Sequence, residues 1–166
     1  MLPHPMHTNA SHSQREPLGE GAGAEYIDRL GLEPLSVARW SKGSSSVMFV
    51  ELRPRLYLVA SRGPGHPESR SFYQAHAPTT CAHEGSVIFW DLGGLLSTDT
   101  GVVKICLGVG KTYRKNIAQL HMYYASPLIG MAVTVGNVAL GGLIEFHRQP
   151  EPFVEALARA CAPVSA

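Results

Sequence analysis

The chain has 166 residues, a formal net charge of +1, 45% hydrophobic residues and 16% charged residues. This length suits one domain with its own core, and the low density of charge argues against a protein that binds nucleic acid. The first residues lack the apolar run of a signal peptide, and no segment has the unbroken apolar length that a bilayer requires, so we expect no membrane association and a cytoplasmic location. Three separated cysteines, Cys81, Cys106 and Cys161, indicate neither a disulfide framework nor a zinc knuckle.

The N-terminal segment, residues 1–25, is rich in His, Pro, Ser and Gly, and its low apolar content predicts a disordered tail. Its histidines His4, His7 and His12 have no carboxylate or thiol companions, so we interpret them as solvated side chains rather than metal ligands. Residues 26–44 hold irregularly spaced apolar side chains interrupted by glycine and proline. They are predicted to form a short amphipathic segment that docks on the core.

From residue 45 onward the pattern alternates between strands and helices. Two β-rich runs, 47–52 and 56–60, flank Pro54-Arg55 and predict a hairpin. The other predicted elements are a helix at 68–77, a doubly covered strand at 87–92, a helix at 100–115, a strand at 120–125, a helix at 128–140, a strand at 143–146 and a helix at 152–161. This order predicts a single α/β domain over residues 45–162, with a mixed sheet of about four to five strands and helices packed against it.

The most informative stretch is 87–101, in which an apolar strand runs through Gly93-Gly94 and an acidic turn into a helix. A hydroxyl-bearing residue at the start of a helix lies where a negative charge is stabilised by the helix dipole and by free backbone N–H groups. The plainest interpretation of this turn is that Asp99 or Thr98 caps the helix.

Three parts of the chain resemble the STAS domain family, which has the fold of the bacterial anti-sigma factor antagonists. Asp91-Leu92 at the end of a strand and Asp99-Thr100-Gly101 at the start of a helix stand where that family has an aspartate-leucine pair and an Asp-Ser-Ser-Gly-like turn. Residues 115–127, which end in Ser126-Pro127, are similar to the next loop and strand, and residues 143–157 to the last strand and helix. The likeness covers about residues 45–160, and the turn here is one residue shorter than in the family.

The resemblance implies a non-enzymatic regulatory protein that acts through protein contacts. It implies that Thr100 is the phosphoacceptor of a partner kinase, with Ser97 and Thr98 as lesser candidates. A kinase-like or sensor protein is then the expected partner, with a homodimer as a further possibility and no cofactor or metal. The surface expected to dock this partner is formed by Asp91, Gly94, Ser97, Thr98, Asp99 and Gly101.

A second interpretation is a binding module. A looser group of STAS-like proteins, related to lipid-carrier folds, ends in a similar strand, a phenylalanine and an amphipathic helix, as the chain does around Phe146. Such a module would hold a lipid or another small apolar molecule. The glycine-rich segment 128–142 would supply the room.

A third interpretation is an enzyme, either a nucleotide hydrolase through Lys111 or a thiol enzyme through Cys81 and His83. Gly110-Lys111-Thr112 imitates the end of a phosphate-binding loop, but the first glycine of that motif would fall on Ile105. Elsewhere, His121 and His147 lie in or beside predicted strands, and we interpret them as structural histidines.

Overall fold

The computed structural model describes residues 23–163 of the chain. The predicted tail, with His4, His7 and His12, therefore lies almost entirely outside the described residues. In chain order the elements are α1 Ala24–Arg29, β1 Ser36–Lys42, β2 Ser45–Arg53, β3 Leu56–Gly63, α2 Arg70–His76, β4 Ser86–Leu95, α3 Thr100–Thr112, β5 Ile117–Tyr123, α4 Pro127–Ala139, β6 Ile144–His147 and α5 Pro150–Cys161. Short 3-10 helices at Pro67–Ser69 and Ala77–Cys81 flank α2.

The strands of this region form one mixed sheet in the order β1-β2-β3-β4-β5-β6. The first three strands pair antiparallel, and β3 through β6 pair parallel. The hairpin around Pro54-Arg55 is confirmed, and Arg55 turns the chain with a φ of 67°. The predicted α/β architecture is likewise confirmed, but the sheet has six strands rather than four to five.

The additional strand is β1, within the segment predicted only to dock on the core. Part of that segment does dock, because Ile27 of α1 is buried beneath the sheet. The rest of the segment forms β1, which pairs with β2 and is an edge strand of the sheet. Polar residues on an exposed edge strand discourage pairing with other chains. Its serine, arginine and lysine side chains obscure the alternation by which a strand is recognised.

Helices cover both faces of the sheet. α2, α3 and α4 pack on one face, where Val59 and Ile88 are buried, and α1 and α5 pack on the other, where Leu58 and Phe89 are buried. Neighbouring residues of a strand point to opposite faces, so the apolar run in β4 serves both cores. No helix in the described region, 23–163, is long and apolar enough to cross a bilayer.

Candidate functional site

A cavity of about 140 Å³ lies between the sheet and helices α3 and α4. Its sheet wall and its helix walls are mainly apolar, and they include Trp90, Leu120, Met122, Val102, Cys106, Ile129, Ala132, Val133 and Gly136. Burial raises the pKa of the Cys106 thiol to about 12, so this side chain is neutral and adds to the apolar lining.

The cavity follows from the small side chains of α4. Ala132, Val133 and Gly136 lie on the face of α4 that lines the cavity, and a Cβ added at Gly136 would reach only ordinary contact with Leu107, at 3.5 Å. Larger side chains at these positions would fill the space between helix and sheet, as protein interiors normally are filled. The glycine-rich segment 128–142, which was predicted to supply room for a ligand, therefore lines this cavity.

The β4–α3 turn forms one end of the cavity, where Ser97, Thr98 and Asp99 all line it. The loop after β3 holds this turn, because the Gly65 N–H donates to the Ser97 carbonyl at 3.0 Å and is 3.1 Å from its hydroxyl. A Cβ at Gly65 would lie 2.4 Å from the Asp99 nitrogen, so only glycine allows this approach. The turn predicted as a docking surface is thus also the polar end of an apolar cavity.

Polar groups along the cavity are already paired. The Ser61 hydroxyl lies 2.8 Å from the Tyr73 hydroxyl, and the Trp90 indole N–H donates to Ser61 at 3.3 Å. Across residues 23–163, no buried side-chain nitrogen or oxygen atom lacks a hydrogen-bond partner. The interior therefore favours an apolar group, because a polar one would be buried without a free partner.

Asp99 is the N-cap of α3, which confirms the capping interpretation for this residue. Its Oδ1 accepts the Val102 N–H at 3.0 Å, and Arg70 donates to both carboxylate oxygens at 2.7 and 2.8 Å. The Arg70 hydrogen bonds, with help from the Val102 N–H, lower the pKa of Asp99 to about 2. A Cβ at Gly101 would lie 2.1 Å from Arg70 Nε, so this glycine lets the guanidinium cross the start of the helix.

Asp99→Asn is expected to remove an acid-sensitive part of the stability while keeping an acceptor for the cap. The Asp99 pKa falls from 3.8 to about 2 in the folded state. The ionised carboxylate therefore stabilises the fold fully above about pH 4, and this contribution is lost as the pH falls through about 2. Urea unfolding at a series of pH values should show that the free energies of unfolding of wild type and Asp99→Asn converge as the pH falls through this range. A difference in free energy that stays constant with pH would contradict the assignment. Asp28→Asn, at an exposed carboxylate of α1, is the control.

The structure separates Asp91 from the rest of the predicted docking turn. Asp91 is 2% exposed and points to the α1/α5 face, where it accepts the Gly93 N–H at 2.8 Å and acts electrostatically on the Tyr26 hydroxyl. An Arg62 nitrogen lies 3.6 Å from its carboxylate. Burial, followed by the negative charge of Asp91, raises the pKa of Tyr26. Asp91 therefore offers no surface to a partner, and its expected docking role is corrected: it is a buried carboxylate inside β4, four residues before the strand ends at Leu95.

The remaining turn residues lie where a partner can reach some of them. Thr98 and Thr100 are exposed, with Thr100 the first residue of α3, whereas Ser97 is half-buried. Gly94 is half-buried against the Arg62 side chain, which a Cβ at this position would meet at 2.7 Å. Docking at Thr98 to Gly101 and phosphorylation of Thr100 stay predictions.

The two enzyme interpretations gain no support from the geometry of their residues. Lys111 lies in the last turn of α3, whereas a phosphate-binding loop precedes the N-terminus of its helix. Cys81 is buried, and burial raises the pKa of its thiol, which disfavours the nucleophilic thiolate.

A feature that the sequence patterns did not reveal is an exposed apolar stripe on α4. Four side chains on its outer face, Leu128, Met131, Val135 and Val138, are between 60% and 78% exposed. The helix carries no charged residue at all. The stripe lies on the same helix as the wall of the cavity.

The fold and the cavity together define an α/β protein whose six-stranded mixed sheet is covered on both faces and borders a small, half-open apolar cavity on one of them. No protein-family model and no curated protein sequence matches the chain. The structure is similar to that of an uncharacterized protein of the DUF3478 family with a SpoIIAA-like fold from Shewanella loihica PV-4. The two share 13% sequence identity with a TM-score of 0.48, over 74% of this chain and 92% of the other. At this level of likeness nothing about ligand, partner or activity carries over.

Proposed function

We propose that the protein is a non-catalytic module that binds a small molecule with an apolar body. The cavity between the sheet, α3 and α4 is the observation that carries this proposal. Its volume of about 140 Å³ is close to that of an engineered apolar cavity of about 150 Å³ that binds benzene. The space therefore suits one aromatic ring or a short acyl chain, and it is too small for a whole diacyl lipid.

The distribution of polar groups around the cavity favours a ligand with one polar end. Apolar side chains of α3, α4 and the sheet surround the inner part, whereas Arg62, His66, Ser97 and Thr98 lie toward the loops. A short carboxylate or alcohol would place its apolar chain between the helices and keep its polar group near these side chains. Such an arrangement, apolar walls with a few polar groups that fix orientation, is typical of small-molecule sites.

Two measurements test this proposal. Native mass spectrometry of the protein from its own host should show a retained small molecule. Titration with benzene and with octanoate should change the tryptophan fluorescence saturably, because Trp40 and Trp90, the two tryptophans of the chain, both line the cavity. Glycerol, which is small but polar, is the control and should have no such effect. If no mass is retained and neither apolar probe saturates, the proposal is wrong.

A second candidate is regulation through protein contacts, with Thr100 as a phosphoacceptor. The supporting observation is that Thr100 is exposed at the start of α3, one residue beyond the ion pair of Asp99 with Arg70. A phosphate there would add about −1.5 to −2 charges and three acceptor oxygens at the positive end of a helix. The phosphate would also compete with Asp99 for the guanidinium of Arg70. Its addition would therefore rearrange the β4–α3 turn, which lines one end of the cavity.

Thr100→Asp is expected to change the affinity for a regulatory partner at least tenfold relative to Thr100→Ala, about 1.4 kcal/mol. The measurement is a quantitative pull-down from the native host, combined with phosphopeptide mapping of the wild-type chain. Thr112→Asp, at the exposed opposite end of α3, is the matched control. If Thr100 carries no phosphate and Thr100→Asp behaves as Thr112→Asp does, the switching role is excluded.

A further inference from the structure

A cluster of two histidines and a glutamate lies on the face of the sheet opposite the cavity. His121 on β5 stands beside Glu145 on β6 in the parallel register, and His147 follows Glu145 by two residues on the same face. The His121 Nδ1 is 3.2 Å from the His147 Nε2 and 3.4 Å from a Glu145 oxygen. One potential ligand atom from each residue lies within 4.8 Å of the other two. Both imidazoles are buried, whereas the Glu145 side chain is 64% exposed.

We propose that His121, Glu145 and His147 bind a divalent transition-metal ion, and that Zn²⁺ fits the arrangement best. Tetrahedral zinc with ligand bonds of about 2.0–2.2 Å places neighbouring ligand atoms roughly 3.3–3.5 Å apart. The observed separations of 3.2 and 3.4 Å are within about 0.1 Å of two edges of such a tetrahedron. Three protein ligands leave the fourth position for water or another small ligand, as in open zinc sites.

A neighbouring side chain orients His121 for this role. The Gln119 Oε1 lies 3.2 Å from the His121 Nε2. With that oxygen as the acceptor, the proton of His121 resides on Nε2, and its Nδ1 lone pair points toward His147 and Glu145. Such hydrogen bonds to the outer nitrogen fix the tautomer and orientation of metal-binding histidines. A metal ion would take the place of the proton that otherwise joins the two imidazoles.

Aromatic packing holds both rings in position. Phe89 stacks on His121 with ring centroids 4.4 Å apart. Phe153 packs against His147 in a T-shaped arrangement with ring centroids 5.7 Å apart. Burial lowers the pKa of both histidines despite the opposing charge of Glu145, so both are neutral near pH 7, which is the form that binds metals. The positive charge of Arg159 on α5 also acts on both histidines, and Glu155 lies 3.9 Å from Arg159.

Glu145 adds a third potential ligand to the two histidines. Its two carboxylate oxygens lie 3.4 Å from the His121 nitrogen and 3.8 Å from the His147 nitrogen. The carboxylate adds the negative charge that a divalent cation requires, and its exposure allows it to close on an ion without rearranging the core. The Glu-x-His spacing on β6 is visible in the sequence, but the addition of His121 depends on the strand register, which the sequence alone does not give.

Metal titration of the full chain, purified without an affinity tag, tests the proposal. We expect one equivalent of Zn²⁺ to bind by calorimetry, and Co²⁺ to give the intense visible absorption of a tetrahedral site. Glu145→Gln, at an exposed position that should not impair folding, and His147→Gln are each expected to weaken binding at least tenfold. Gln119→Ala should weaken it about tenfold while leaving the stoichiometry unchanged.

Two controls separate this site from other histidines. His83→Gln, at an exposed position away from the sheet, should bind Zn²⁺ as the wild type does. A variant with glutamine at all three tail histidines should also retain the single site, since it alters only His4, His7 and His12. The proposal is overturned if the wild type binds no Zn²⁺, if Glu145→Gln binds it as tightly as the wild type, or if the tail variant abolishes binding.

Discussion

Ala132→Phe in α4 is expected to weaken the binding of octanoate at least tenfold, about 1.4 kcal/mol or more. Ala132 lines the cavity and is half-buried, so a phenyl group at this position would occupy the space that the ligand needs. The folded state should persist, because the new ring fills a void rather than an already packed core, although overpacking costs of about 1–3 kcal/mol are usual for such changes. Tryptophan fluorescence titration measures the affinity.

Val138→Phe is the matched control for this prediction. It places the same side chain on the same helix, but at a position that is 78% exposed and does not line the cavity. Octanoate affinity should equal that of the wild type in this variant. Equal affinities in Ala132→Phe and the wild type, with both folded by circular dichroism, would show that octanoate binds elsewhere.

Phe153→Ala in α5 is expected to lower the free energy of unfolding by about 3–5 kcal/mol. Phe153 is 0% exposed, and its ring contacts four others, those of Tyr26, Phe89, Tyr123 and His147, at centroid distances between 5.6 and 6.0 Å. Its removal leaves a cavity between α5, α1 and the sheet that these rings cannot close. The measurement is equilibrium unfolding in urea.

Phe146→Ala provides the comparison within the same region. Phe146 is 38% exposed, and its aromatic contact is to Tyr124 at 6.4 Å, so its truncation should cost about 1 kcal/mol or less. A loss in Phe153→Ala no larger than that in Phe146→Ala would mean that α5 does not pack on the sheet as described.

Much of the fold could be predicted because its signals are local. The apolar run of β4, the hairpin around Pro54-Arg55 and the helix begun by Asp99 depend on residues adjacent in the chain. β1 could not be recognised in the same way, because an edge strand needs apolar residues on only part of one face. Its place in the sheet is set by pairing with β2, which is a tertiary contact.

Two segments that line the cavity were singled out from the sequence, the turn as a docking surface and residues 128–142 as room for a ligand. Ser97, Thr98 and Asp99 do lie together at one end of the cavity, and the segment 128–142 does supply its small side chains. The family resemblance grouped Asp91 with them, yet the alternation of side chains along β4 sends it to the opposite face. The volume of the cavity depends on how far α4 stands from the sheet, and no local pattern encodes that distance.

The most direct test of the ligand-binding proposal is a crystal structure of the protein grown with octanoate. The proposal predicts density for the acyl chain between the sheet, α3 and α4, with the carboxylate toward Ser97 and Thr98. A cavity without density, in crystals where octanoate is bound at another surface or at none, would contradict it.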